Sequence, residues 1–209
     1  LASARSYSAP NQRRTASIQL IRDQEHVTAA IEQGIRAVRT SVWIATANLK
    51  DVHVEAAVGT RARAHGKYVS LFEELEQAAR RDVDVRILHA GPPSRALARH
   101  LKPASSRTVN GAKKKSGVQL RRCLRVHLKM IAVDGRLLYL GSANFTGAGL
   151  GAKGNHRRNF EAGIVTDDEW LLDEMQGTFD AIWTGRHCKH CLLRSECPKP
   201  LDQIESPTG

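Results

Sequence analysis

An α/β fold, with a mixed β-sheet flanked by helices on both faces, is what this sequence predicts from three observations. Between Ser17 and Ile87, short apolar runs alternate with segments of helical period, a β-α-β-α-β order that requires a sheet covered by helices. Around Asp134-Gly135, two apolar runs rich in β-branched residues flank a dipeptide favoured in tight hairpin turns, where both central residues take positive φ. Two capping boxes, Ser70-Leu71-Phe72-Glu73 and Thr166-Asp167-Asp168-Glu169, mark helix starts.

Residues 1–17 are rich in Ser, Ala and Arg, lack acidic residues and show little apolar periodicity, so they read as a flexible basic arm. The domain proper spans 18–184. It opens with an apolar strand ending at Ile21. Asp23 is a candidate cap for a helix whose stripe of Val27, Ala30, Ile31, Ile35 and Val38 runs to Arg39. Ser41 to Ala47 reads as a buried strand. Leu49 to Lys67 reads as a long loop at a substrate rim; its His53 and His65 lack the Cys or second carboxylate that a metal site needs. The first capping box opens a helix with Leu71, Leu75 and Ala78 on one face. Val83, Val85 and Ile87 then alternate with charged residues as the next strand. Beyond the hairpin come a Gly-rich basic loop, a strand from Phe160 to Val165, and a helix with Leu171, Met175, Phe179 and Ile182 on one stripe.

The net charge is +11 and the pI near 10.0, which favours a polyanionic partner, nucleic acid before an anionic membrane surface. No Asp or Glu occurs between Gly91 and Lys129. That stretch carries Lys113, Lys114, Lys115, Arg121, Arg122 and Arg125, placed to guide a phosphate backbone towards the hairpin; Arg157 and Arg158 follow on its far side. No apolar window reaches the length of a transmembrane helix. Four cysteines are too few and too clustered for a disulfide framework, which points to a reducing, cytoplasmic setting.

The hairpin from Val126 to Asn144 carries the chemistry. If Asp134 and Gly135 are the whole loop, Lys129 faces Leu140 and His127 faces Ser142. His127, Lys129, Ser142 and Asn144 then converge at its open end. Such a set suits phosphoryl transfer: an imidazole attacks phosphorus while an ammonium and an amide hold the non-bridging oxygens. Neither a carboxylate pair nor a metal is required.

The pattern His-x-Lys-x4-Asp-x6-Gly-Ser-x-Asn, at His127, Lys129, Asp134, Gly141, Ser142 and Asn144, resembles that of the phospholipase D superfamily. Asn159-Phe160-Glu161 resembles the Asn-x-Glu that follows it in many relatives, where the Glu supports the catalytic His. The resemblance implies a phospholipase D-like fold, His127 as nucleophile, Lys129 and Asn144 as phosphoryl ligands, and Ser142 in a lesser part. Asp134 and Gly141 belong to the motif but not to the chemistry. The superfamily works with two His-Lys motifs at one centre, and this chain has one complete motif. It is therefore similar to the single-motif branch of small bacterial endonucleases that dimerise to build the site. Three functions fit: a metal-independent nuclease acting through a phosphohistidine, a phospholipase D or phosphatidyl transferase, and a catalytically silent nucleic-acid-binding module.

The tail, 185–209, holds Cys188, Cys191 and Cys197 in a Cys-x2-Cys-x5-Cys spacing that suits a shared metal. The last three cysteines of certain iron–sulfur DNA-repair enzymes have the same spacing. Cys123, His187 or His190 would complete the set. Structural zinc, an iron–sulfur cluster and free thiols all fit this pattern, and none of them is needed for the hairpin chemistry.

Overall fold

The computed structural model describes residues 15–101 and 117–204. Most of the expected basic arm, Lys113 to Lys115 and residues 205–209 lie outside the described residues. The strands are β1 (Ile18–Arg22), β2 (Ser41–Thr46), β3 (His53–Glu55), β4 (Tyr68–Ser70), β5 (Asp84–His89), β6 (Gln119–Arg122), β7 (Met130–Val133), β8 (Leu137–Gly141) and β9 (Ala162–Thr166). The α-helices are α1 (Arg61–Ala64), α2 (Leu71–Arg80), α3 (Arg95–His100) and α4 (Glu169–Trp183). Seven strands form one sheet in the order β1-β9-β8-β7-β2-β5-β6. The pairs β2–β5 and β5–β6 are parallel and the others antiparallel, so the sheet is mixed, as expected.

Strand alternation divides the core into two layers. On one face Val42, Ile44, Val85, Ile87, Ile131, Val133 and Tyr139 pack with α2 and the helical turns near Ile31. On the other, Ala45, Leu88, Met130, Ala132 and Leu138 pack with Phe179 and Trp183 of α4. Burying both faces explains why β7 reads as a continuous apolar run.

Local expectations fail where packing overrides pattern. The helix expected up to Arg39 breaks into a wide turn, Val27–Glu32, and a tight one, Ile35–Ala37. Gly34 sits between them, and a Cβ there would lie 2.5 Å from the Ala30 carbonyl oxygen. Asp23 does not cap a helix; its carboxylate accepts the Glu161 N–H. The segment 49–67 is not an irregular loop. Val52, Val54 and Ala56 are buried in alternation between charged residues, and β3 pairs with β4 across the short α1. Of the two capping boxes, Ser70 accepts the Glu73 N–H at 3.2 Å as expected. In the second, Asp168 rather than Thr166 is the cap, accepting from Leu171 N–H at 2.8 Å.

The hairpin turn differs by one residue, and this moves the site. Asp134 and Gly135 take φ of 53° and 61°, and Arg136 N–H donates to Val133 O at 2.9 Å. The ladder then pairs Val133 with Leu137, not Arg136, which leaves Arg136 as an extra, bulged residue. Every pair shifts with it: Ile131 faces Tyr139, and Gly141 N–H reaches Lys129 O. Lys129 therefore stands opposite Gly141 instead of Leu140.

Asp134 closes the other end of the hairpin onto β2. Its carboxylate accepts the backbone N–H groups of Arg39, Thr40 and Ser41 and the Thr40 hydroxyl, at 2.8–3.0 Å. Burial would raise its pKa, but these four bonds outweigh burial and hold it below the usual 3.8. Asp134→Ala should therefore destabilise the fold by about 1–3 kcal/mol at neutral pH, since it strands N–H groups at the start of β2. A depressed folded pKa contributes stability above pH 3.8 that is lost as pH falls through the folded value. Urea unfolding of wild type and variant should give a gap in midpoint at pH 7 that narrows towards pH 3.

Candidate active site

His127 and Lys129 lie in the extended segment just before β7, and His127 is exposed to solvent. Lys129 Nζ donates to the His127 carbonyl at 2.9 Å and stands 3.1 Å from both ring nitrogens. An ammonium has only donors, and the His127 carbonyl is an acceptor for one of them. Desolvation holds the Lys129 pKa below its usual value, against the opposing pull of the Glu161 charge.

Ser142 and Glu161 form the next layer. Ser142 Oγ donates to Glu161 Oε2 and accepts the Ala162 N–H at 3.1 Å, while Asn159 Nδ2 donates to Glu161 Oε1 at 3.0 Å. Asp23 fixes the Glu161 backbone from both sides, by N–H to Glu161 O at 3.0 Å and by accepting Glu161 N–H at 2.9 Å. Within this chain Glu161, expected to support an imidazole, bonds Ser142 and Asn159. Its charge still reaches Lys129.

Beneath this layer lies Tyr139. His26, fully buried, puts Nδ1 against Asp23 O at 2.8 Å and Nε2 against Tyr139 Oη at 3.2 Å. A carbonyl only accepts, so Nδ1 carries the proton and Tyr139 donates to Nε2. Tyr139 Oη in turn accepts the Ala143 N–H at 3.2 Å. Burial, with the Glu161 charge adding to it, pushes the phenol up to about 12, so it stays a donor. The Tyr139 ring explains the motif glycine. A Cβ at Gly141 would sit 2.7 Å from Ala162 O and 2.8 Å from Gly163 Cα, in a gap that Tyr139 also fills.

Asn144 is held from β2. Its Oδ1 accepts the Asn48 N–H at 3.1 Å and lies 3.3 Å from the Thr46 hydroxyl. A backbone N–H at Oδ1 fixes which end of the amide is oxygen, so the NH2 group remains available as a donor. Thr46 Oγ1 also accepts the Phe145 N–H at 2.9 Å, and Lys50 N–H bonds Phe145 O at 3.0 Å. The loop leaving β8 is therefore fastened to the end of β2, at the C-terminal edge of the parallel strands where α/β sheets place their sites.

The family model described as "Cardiolipin synthase, PLD-like domain" matches residues 31–183. The chain belongs to this phospholipase D-like family. No curated protein matches it closely enough to count as a relative. Among solved structures it is similar to NucT from Helicobacter pylori, at 17% identity and TM-score 0.48, covering 79% of this chain and 94% of that one. It is also similar to Nuc, a phospholipase D family member from Salmonella typhimurium, at 18% and 0.49, covering 81% and 95%. The archaeal chromatin protein TrmBL2 is similar at 16% and 0.44, covering 79% and 51%. With TM-scores below 0.5, none of the three speaks to the chemistry of this chain.

In this phospholipase D-like chain the expected basic residues divide. Arg121 is not a phosphate ligand: it is 7% exposed, its guanidinium donates to Trp183 O, and it stacks 4.4 Å from the Trp183 ring. Its position on β6 turns it onto α4, where desolvation, with Arg86 nearby, lowers its pKa. Arg122 is half-buried and donates to Ala90 O at 2.8 Å, and Arg158 is tied to Gln24 and Asn155. Arg125 and Arg157 remain exposed. Lys113, Lys114 and Lys115 lie outside the described residues. Cys123, Cys188, Cys191 and Cys197 are unbonded thiols, and burial pushes the Cys123 thiol up. Among the described residues, no three His, Cys, Asp or Glu side chains already stand close enough to hold a metal ion.

Asp23, His26, Thr46 and Asn48 were not legible as site residues. The one available signal was Thr46-x-Asn48 at the polar end of an apolar strand. Thr46→Val keeps the shape but leaves the buried Phe145 N–H unpaired, a cost of about 1–3 kcal/mol. Thermal unfolding should show the loss, and amide exchange should rise first at Phe145 and Asn48.

Proposed function

We propose that this chain is a metal-independent nuclease that cleaves nucleic-acid phosphodiester bonds through a phosphohistidine, in a site shared by two subunits. The observation that carries this reading is an exposed His127 in contact with Lys129, in a chain of net charge +11. These residues carry one complete motif, and a second copy would supply the second imidazole.

In the first step a ring nitrogen of His127 attacks phosphorus, and the P–O bond to the leaving nucleoside breaks. His127 of the partner subunit, protonated, gives its proton to that leaving oxygen. The partner's His127, now neutral, takes a proton from water as the water oxygen attacks the phosphohistidine. The P–N bond breaks and the first imidazole is regenerated. Lys129 and the Asn144 NH2 hold the non-bridging oxygens as charge builds on them. Glu161, through Ser142 and Asn159, keeps the loop after β8 in register and balances Lys129. Phe160, 98% exposed between Asn159 and Glu161, offers an apolar surface that a second copy would cover.

The chemistry would serve a phospholipid equally, and a silent binding module would share the charge, so substrate and turnover are tested together. Purified protein is incubated in excess chelator with DNA, RNA and anionic phospholipid vesicles. Cleavage of nucleic acid is expected and should vanish in a folded His127→Asn variant. Cleavage of lipid alone, or activity retained in His127→Asn, overturns the reading.

The shared site has its own test. Heterodimers of wild type and folded His127→Ala should be nearly inactive, because each centre needs two imidazoles. Half of the wild-type activity, or full turnover by a monomer, would rule the shared centre out. Replacing Lys113, Lys114 and Lys115 by Gln should weaken binding across all sequences and flatten its salt dependence, because fewer counterions are released.

A further inference from the structure

Four cysteines line one cavity where the tail folds back on the catalytic domain. Cys188, Cys191 and Cys197 lie in successive turns after α4, closed by Cys188 N–H to Gly185 O at 2.9 Å, Cys191 N–H to Cys188 O and Cys197 N–H to Arg194 O at 3.2 Å. Arg194 locks these turns by donating to Cys188 O at 3.1 Å and pairing with Asp202 at 2.9 Å. Cys123 comes from elsewhere, the loop after β6. All four sulfur-bearing side chains line a single small cavity with about 20 Å3 open to the centre of a water-sized sphere, room for one such sphere.

The tail has little else to hold it. From Thr184 to Ile204 only Leu201 is a buried apolar side chain larger than glycine, and Leu192 is 96% exposed. A segment with so small a core needs another cross-link to stay folded. Disulfides do not supply it here, since all four cysteines are unbonded.

We propose that Cys123, Cys188, Cys191 and Cys197 are the four ligands of a thiolate-bound metal centre that staples the tail to the loop carrying His127. His187 lines the adjoining larger cavity but not the four-thiol one, and His190 lines neither, so the fourth ligand is Cys123. A lone zinc binds sulfur at about 2.3 Å. The four cysteines line the cavity together with Leu193 and Leu201, and no three of them are close enough for a single ion as they stand. Zinc and an iron–sulfur cluster are both held by four thiolates, and elemental analysis distinguishes them. Zinc would require the four sulfurs to draw inward. Either occupant displaces the thiol protons as the thiolates bind. Cys123 opens the turn that Val126 N–H closes at 3.0 Å, and His127 follows directly, so the staple bears on the catalytic loop.

The test needs no activity and stands apart from the nuclease reading. Full-length protein is purified without oxygen and analysed for iron, sulfide and zinc, with an absorption spectrum. About four irons and four sulfides per chain with a broad visible band support the cluster. One zinc without colour supports the four-thiolate site with a single ion as its occupant. Absence of both metals, before and after anaerobic reconstitution with iron and sulfide, overturns the proposal. Native wild-type protein is also alkylated and mapped by mass spectrometry, which avoids any variant that fails to fold. All four cysteines should be protected and become reactive after chelation. Alkylation of Cys123 while the other three stay protected would remove it from the ligand set. Loss of metal from a folded protein carrying both His187→Ala and His190→Ala would also overturn the assignment.

Discussion

Three backbone N–H groups at the start of β2 find their acceptor in one side chain, the Asp134 carboxylate. A buried charge must be paired, and the Asp134 carboxylate, 5% exposed, is paired here, which anchors the closed end of the β7–β8 hairpin to β2. At the opposite end of β2, Thr46 and Asn48 hold Asn144 and Phe145 as the chain leaves β8. The central strand and the hairpin are thus clamped at both ends. The reactive groups sit only at one of them. The motif aspartate lies at the closed end, where it sets where the hairpin sits.

The site separates groups that are saturated with protein bonds from groups that are not. Glu161 and Ser142 satisfy each other and their neighbours, and Tyr139 lies in a chain running from Asp23 through His26 to Ala143. Those residues have little capacity left for a substrate. Lys129 and His127 contact each other, and the Asn144 NH2 faces away from the bonds that hold Oδ1. For the proposed phosphoryl transfer, such a preorganised frame leaves little reorganisation when charge develops. The two glycines Gly141 and Gly163 belong to this frame, because Tyr139 occupies the volume a side chain would take.

Charge is distributed less simply than the composition suggests. Arginines that look alike in the chain divide into packing groups and free cations according to which sheet face they meet. Arg121 and Arg86 lie against Trp183 and Trp43, where the guanidinium plane stacks on an indole. Arg125 and Arg157 stay in solvent. The net charge of the chain therefore overstates the charge a nucleic acid would meet at the described surface.

The sequence by itself determined the mixed sheet, the hairpin, the first capping box and the hairpin residues at its open end. These depend on short-range periodicity and on residue types at fixed spacing, which are local properties. It misjudged the register by one residue, because Arg136 bulges and nothing in Asp134-Gly135 announces that. Only the tertiary structure decided that Asp23 braces Glu161, that Thr46 and Asn48 aim Asn144, that Glu161 bonds Ser142, that Arg121 is buried, and that Cys123 joins the tail cysteines. Each of these joins residues far apart in the chain, with ordinary side chains that acquire a role only from the partner that packing brings to them.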